Sequence, residues 1–194
     1  MALVLVLGGA RSGKSRFAEE LAQSCGSRVV YVATAAVGDE EMARRVELHR
    51  LRRPPGWRTV EETRHLEGVI EQYGAEYDAV LVDCITMWVT NLLLDENWPH
   101  PGSSQEERED HMEELTRSLA EAAAGVRARV IMVSNEVGMG LVPVNPLGRA
   151  YRDLAGRVNQ LLARRAEQVY LVVAGLPVEL KSLAAILPGY ANKG

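Results

Sequence analysis

Residues 8–15 read Gly8-Gly9-Ala10-Arg11-Ser12-Gly13-Lys14-Ser15, the pattern G-x-x-x-x-G-K-S, directly behind the apolar run 2–7. The setting matters as much as the letters. A buried strand feeds a glycine-rich turn, and Arg16-Phe17-Ala18-Glu19-Glu20-Leu21-Ala22 then reads as a helix, which is the context in which this motif cradles phosphate. Glycines let the backbone curl so that successive N–H groups point inward, and the new helix adds its positive N-terminal end. Lys14 then reaches the β- and γ-phosphates as a catalytic residue, and the Ser15 hydroxyl holds Mg²⁺. The stretch predicts a nucleoside triphosphate site.

Working outward, strand-like apolar runs recur at 2–7, 28–33, 79–83, 129–134 and 168–174, with helical sequence at 14–24, 39–53, 64–73, 105–124 and 147–167. This alternation predicts a mostly parallel sheet with helices on both faces. Near-continuous apolar strands such as Val130-Ile131-Met132-Val133 suit a sheet covered on both sides. The expected fold is therefore a single P-loop, RecA-like α/β domain over residues 1–183. The C-terminal tail 184–194 shows little periodicity and is expected to be mobile. Ligands of such sheets collect outside the carboxyl ends of the strands. Gly8–Ser15, Thr34, Asp83 and Ser134-Asn135-Glu136 all fall there. The segment 95–104 reads as a loop, and Ser104 with Glu107 three residues on resembles a capping box.

Bulk properties narrow the function. A formal net charge of −4 argues against a general nucleic-acid binder, which usually carries a basic excess. Cys25 and Cys84 lie far apart without metal-ligand spacing, so a reducing cytoplasm is the expected compartment. The apolar run at the start is too short for a signal peptide and leads straight into the phosphate loop. No stretch approaches the roughly 18 apolar residues that a membrane span requires.

Two further features bear on chemistry. The strand Asp78-Ala79-Val80-Leu81-Val82-Asp83 closes on a carboxylate. Alone this is a weak signal, because many strands end in Asp. Behind a phosphate loop it supplies the second oxygen partner, beside Ser15, that Mg²⁺·triphosphate needs. The second feature is the segment 39–53, helical in propensity and stopped by Pro54-Pro55. Met42, Val46 and His49 fall on one side, and Arg45 and Arg53 flank His49 at i−4 and i+4. Nearby guanidiniums favour a neutral, nucleophilic imidazole and can grip phosphate oxygens. On these grounds alone the plainer reading, a solvated Arg-rich face with an incidental His, remains the stronger, because His nucleophiles are rare. His65 and His111 read as residues of polar helix faces and His100 as part of a Pro-flanked loop, none with a chemical role.

Taken together, these strings resemble one family. They are GGARSGKS at 8–15, Ala33-Thr34-Ala35, Glu41-Met42…Arg45-Val46…His49-Arg50…Arg53-Pro54 and Trp57-Arg58-Thr59-Val60-Glu61, followed by Asp83-Cys84-Ile85-Thr86…Trp88-Val89-Thr90-Asn91. Asn135-Glu136-Val137-Gly138-Met139-Gly140, Gly156-Arg157-Val158-Asn159-Gln160 and Gly175-Leu176-Pro177 continue the series. In this order they are similar to the bifunctional adenosylcobinamide kinase / adenosylcobinamide-phosphate guanylyltransferases of cobalamin biosynthesis, from Leu3 to about Lys181. Departures are slight: Leu141 stands where Ile is expected, Phe17 where His is frequent, and 95–112 follows no family pattern.

The resemblance implies two reactions. ATP or GTP phosphorylates the aminopropanol hydroxyl of adenosylcobinamide. GTP then gives its GMP, through a covalent GMP–histidine intermediate, to adenosylcobinamide phosphate. The histidine at that family position is His49. The implied nucleotide contacts are Gly8, Gly9, Ala10, Arg11, Ser12, Gly13, Lys14, Ser15, Ala33, Thr34, Ala35, Arg50, Leu51, Arg52, Arg53, Glu61 and Asp83, with Mg²⁺ on Ser15 and Asp83. Glu61 has no independent signal, although a carboxylate can accept the N1–H and N2–H pair of guanine. The resemblance also implies a homo-oligomer, a trimer. Rival readings are a single-activity small-molecule kinase with His49 as bystander and a RecA-like, nucleotide-dependent interaction protein. For the corrinoid acceptor the candidate regions are 135–143 and the helix bearing Arg149, Arg152, Asp153 and Asn159.

Overall fold

The computed structural model describes residues 3–35 and 54–184. In chain order the elements are β1 (Leu3–Gly8), α1 (Lys14–Cys25), β2 (Val29–Ala33), β3 (Arg58–Glu61), α2 (Leu66–Gly74), β4 (Ala79–Asp83) and α3 (Ile85–Leu93). They continue with α4 (Gln105–Gly125), β5 (Arg129–Asn135), α5 (Pro146–Arg165), β6 (Gln168–Val173), β7 (Leu176–Glu179) and α6 (Leu180–Leu183). The strands form one seven-stranded sheet in the order β3-β2-β4-β5-β1-β6-β7. Every neighbouring pair is parallel except β6 with β7. All the parallel strands therefore end on one edge, and the loops that follow them share that edge.

Alternation along the strands divides the core in two. Leu3, Leu5 and Leu7 of β1, with Val80, Val82, Val130 and Met132, face the layer of α2, α3, α4 and α5. Val4 and Val6, with Leu81 and Ile131, face α1. On that second face α1 presents Ala18 and Ala22, both fully buried. These small side chains let α1 lie close to the sheet and so bring the loop before it down onto the strand ends.

Among the described residues the largest fully buried side chain is Trp88, which has no exposed surface and donates its indole N–H to the Arg64 carbonyl at 2.8 Å. Trp88→Ala would leave a cavity and an unsatisfied carbonyl. It is expected to cost about 3–5 kcal/mol, a large part of the stability of a typical domain. A urea titration that returned an unchanged midpoint would show that the site collapses without penalty.

The mostly parallel sheet with helices on both faces is as the sequence predicts, and the five expected strands are present within two residues at each end. The capping box is present, with Ser104 Oγ accepting from the Glu107 N–H and a Glu107 carboxylate oxygen accepting from the Ser104 N–H. The sequence reading did not anticipate β3, α3, β7 or α6. His65 is the residue before α2 rather than a member of its polar face. His111 lies against the buried Trp98, ring centroids 5.4 Å apart, so it is a packing residue. The helix expected at 39–53 lies outside the described residues, as does the tail from 185. No described helix is long and apolar enough to cross a membrane.

Candidate nucleotide-binding site

The phosphate loop turns on two left-handed residues, Arg11 (φ 57°) and Gly13 (φ 96°). Alternation of this kind points successive N–H groups into one concavity, which suits an anion. Two glycines are required by close approach. A Cβ on Gly8 would stand 2.5 Å from Ser12 Oγ and 2.7 Å from the Val172 carbonyl oxygen. One on Gly13 would meet the Gly175 Cα at 3.1 Å. The loop is pinned from below by the Gly175 N–H, which donates to the Ser12 carbonyl at 2.8 Å, and from within by the Ser12 N–H on Gly9 O at 3.2 Å. The turn between β6 and β7 therefore braces the loop, a role the sequence reading did not foresee.

Lys14 opens α1 and is 9% exposed. Its ammonium donates to the Gly9 carbonyl at 3.2 Å, so it arches back over the loop it belongs to. Ser15 follows on the first turn of α1, half-buried. Gly9, Ala10 and Arg11 are exposed at the rim.

Asp83 ends β4, two strands from β1 across β5, or about 10 Å by strand spacing. Its Oδ2 accepts a hydrogen bond from the Tyr31 hydroxyl at 3.0 Å, and Tyr31 is 3% exposed in the core of β2. The carboxylate is therefore oriented by a buried phenol. No sequence signal marks Tyr31, which reads as one more apolar residue of a strand. Ser15, on the first turn of α1, and Asp83, at the end of β4, offer hard oxygen donors on the same edge of the sheet, a set that fits a magnesium ion held mainly by phosphates.

Beyond Asp83 the chain is fixed by a polar relay. Thr34 Oγ1 donates to the Cys84 carbonyl at 2.8 Å and accepts from the Cys84 N–H at 2.7 Å. Asn91 Nδ2 donates to the Thr34 carbonyl at 2.8 Å. Thr34 is wholly buried, so its side chain fastens the ends of β2 and β4 together and holds the turn at Ala33 and Ala35 in place. Thr86 Oγ1 lies 3.2 Å from the Cys84 sulfur and accepts from Asn135 Nδ2 at 2.8 Å. Asn159 Nδ2 donates to the Asn135 carbonyl at 3.2 Å, and Ser134 Oγ donates to Asn159 Oδ1 at 2.6 Å. Burial first, and then the Asp83 carboxylate, push the Cys84 thiol up, which keeps it a neutral packing group. Thr86 and Asn91 belong to one of the strings that carry the family resemblance, but the sequence reading gave neither a role at the site.

Glu61 ends β3 at the far edge, paired with Ala33 and exposed. It is four strands from β1, roughly 19 Å by strand spacing. The strand-end row thus runs from Glu61 through Ala33 and Asp83 to Gly8 along one edge. His49, Arg50, Leu51, Arg52 and Arg53 lie outside the described residues. Pro54 and Trp57 line a cavity against Arg16, Glu20 and Gln23 of α1.

Residues 4–180 match the family described as cobinamide kinase / cobinamide phosphate guanyltransferase. The chain is 47% identical over 177 residues to the bifunctional adenosylcobalamin biosynthesis protein CobP of Pseudomonas aeruginosa, a match covering 91% of this chain and 96% of that one. It is 46% identical over 185 residues to the bifunctional adenosylcobalamin biosynthesis protein CobU of Escherichia coli, covering 92% and 99%. Its identity to the protein of the same name from Salmonella typhimurium is 45% over 186 residues, again covering 92% and 99%. Among solved structures it is similar to the RadB recombinase, at TM-score 0.47 and 17% identity over 88% of this chain and 73% of that one. A second solved structure, an ATPase domain, is similar at TM-score 0.49 and 14% identity, over 88% and 68%.

Proposed function

The chain belongs to the cobinamide kinase / cobinamide phosphate guanyltransferase family, and from that premise we propose how one nucleotide-binding edge serves both activities. In the kinase step, a nucleoside triphosphate rests in the loop Gly8–Ser15. The aminopropanol hydroxyl oxygen of adenosylcobinamide attacks the γ-phosphorus, the bond from the γ-phosphorus to the β–γ bridging oxygen breaks, and the hydroxyl proton is released. Lys14 and the loop N–H groups hold the charge that develops on the phosphoryl oxygens and on the departing diphosphate. Mg²⁺, held by Ser15 and Asp83, supplies further charge neutralisation when bound.

In the second step the neutral imidazole of His49 attacks the α-phosphorus of GTP. A P–N bond forms, the bond to the α–β bridging oxygen breaks, and pyrophosphate leaves. A phosphate oxygen of adenosylcobinamide phosphate then attacks the same phosphorus, which frees His49 and yields adenosylcobinamide-GDP. Arg50, Arg52 and Arg53 grip the phosphate oxygens, and Leu51 belongs to the same stretch of nucleotide contacts. Ala33, Thr34 and Ala35 shape the turn beside the nucleotide, and Glu61 accepts the guanine N1–H and N2–H. Two half-buried free thiols, Cys25 and Cys84, are consistent with a cytoplasmic enzyme.

The observation that carries this reading is the loop geometry: left-handed Arg11 and Gly13 set at the start of α1, with Lys14 folded over them. The test is metal-dependent turnover. Wild-type protein given adenosylcobinamide and γ-labelled ATP should form a labelled phosphate ester, and Asp83→Asn should raise the Mg²⁺ concentration needed for half-maximal rate by about tenfold. An unchanged Mg²⁺ titration would reduce Asp83 to an ordinary strand terminus.

A further inference from the structure

The segment between β5 and α5 carries a concentration of apolar surface. Met139 is 80% exposed, Leu141 96% and Val144 95%, with Val142 and Leu147 also more than half exposed. Isolated exposed aliphatics are ordinary, whereas five within nine residues make a patch that calls for a partner. The patch adjoins a cavity of about 350 Å³ between the end of α3 and the start of α5, walled by Thr90, Leu94, Leu147 and Tyr151. Arg149 holds the segment in shape, its guanidinium donating to the carbonyls of Pro143 and Val144 at 3.1 and 2.6 Å.

Position ties this patch to the phosphate loop. The segment begins at Glu136, whose N–H donates to the Gly8 carbonyl at 3.1 Å, and Asn135 pairs with Gly8 across the sheet. The cavity is joined to the same point through Thr86, which Asn135 contacts. The half-buried Tyr151 phenol, pushed up mainly by burial, also hydrogen-bonds to Thr90 and Thr86. The segment therefore leaves the sheet beside Gly8, the first residue of the phosphate loop, and its exposed apolar side chains begin three residues beyond Glu136.

We infer that residues 139–147 and the cavity behind them are the docking surface for the corrinoid acceptor, a macrocycle with an apolar face and a rim of amides. The inference rests on the kinase and guanylyltransferase reading above. A macrocycle is too large for the cavity, so the cavity takes one edge of the ring and Leu141, Val142 and Val144 lie against its face. Asn135 and Asn159, both within the regions singled out in the sequence, are committed to internal hydrogen bonds and serve as framework beneath the surface.

The test uses full-length protein carrying Leu141→Asp or Val144→Asp, with Leu141→Ala as a milder companion. Both positions are over nine-tenths exposed, so folding should be preserved, and a thermal melt checks this. KM for adenosylcobinamide in the ATP-dependent step should rise about tenfold or more in each Asp variant and less in Leu141→Ala, while KM for ATP and the mass in solution stay as in wild type. An unchanged corrinoid KM, or a change in solution mass with the corrinoid KM unaltered, overturns the inference; the second result assigns the patch to contact with another copy of the chain. Wild-type protein that fails to phosphorylate adenosylcobinamide at all would overturn the functional reading instead.

Discussion

Replacing Lys14 by alanine should lower corrinoid phosphorylation roughly 100- to 1000-fold, the range seen when one preorganised donor to a developing oxyanion is removed. The effect should appear in kcat at saturating ATP, because the ammonium gains most from charge that builds only in the transition state. Guanylyl transfer should fall too, since the proposed mechanism seats the departing pyrophosphate in the same loop. The fold should survive. The loop is held by backbone bonds, Ser12 N–H to Gly9, Phe17 N–H to Gly13 and Gly175 N–H to Ser12, none of which uses the Lys14 side chain. A folded Lys14→Ala protein with near wild-type kcat would show that this loop is not where phosphoryl transfer occurs.

The second large effect separates the two activities. His49→Asn should reduce guanylyl transfer by at least about 1000-fold, as loss of a covalent nucleophile does, and should leave corrinoid phosphorylation within roughly tenfold of wild type. The asymmetry comes from the chemistry: direct attack of a hydroxyl on the γ-phosphorus needs no enzyme nucleophile, whereas a nucleotidyl-enzyme does. Because His49 lies outside the described residues, this expectation stands on the sequence pattern and on family membership. Equal loss of both activities in a folded protein would contradict the separation.

The central fold was legible because its strands announce themselves. Residues 3–7 and 130–133 are unbroken aliphatic runs, buried on both faces, and the glycine pattern at 8–15 fixes the turn and the helix after β1. The missed elements lack those signals for physical reasons. Strand β3, Arg58-Thr59-Val60-Glu61, is an exposed edge with charges at both ends and becomes a strand only by pairing with β2. β7 contains Pro177 and lies at the opposite edge, where a strand can tolerate proline. Helix α3 spans nine residues, Ile85 to Leu93, five of them buried, so it shows no polar face from which a helical period could be read.

The site was legible in its phosphate-binding half. Gly8 and Asp83 end β1 and β4 on one edge of the sheet, with β5 between them, and Gly13, Lys14 and Ser15 follow Gly8 through the loop into the first turn of α1. Thr34 shows the limit of position-based reading: being at a strand end suggested contact with a ligand, yet its hydroxyl is consumed by both backbone groups of Cys84. Tyr31, which orients Asp83, gave no signal, because a buried strand tyrosine looks the same whether or not its hydroxyl meets a carboxylate.

One chain that both phosphorylates its acceptor and carries a guanylyl group on His49 is tested most directly by incubating wild-type protein with α-labelled GTP and isolating the labelled peptide. About one label per chain is expected on the peptide containing His49. It should be labile in acid and stable in alkali, as a P–N bond is, and discharged by adenosylcobinamide phosphate. Label on any other residue, or guanylyl transfer proceeding with no labelled protein, would contradict the assignment.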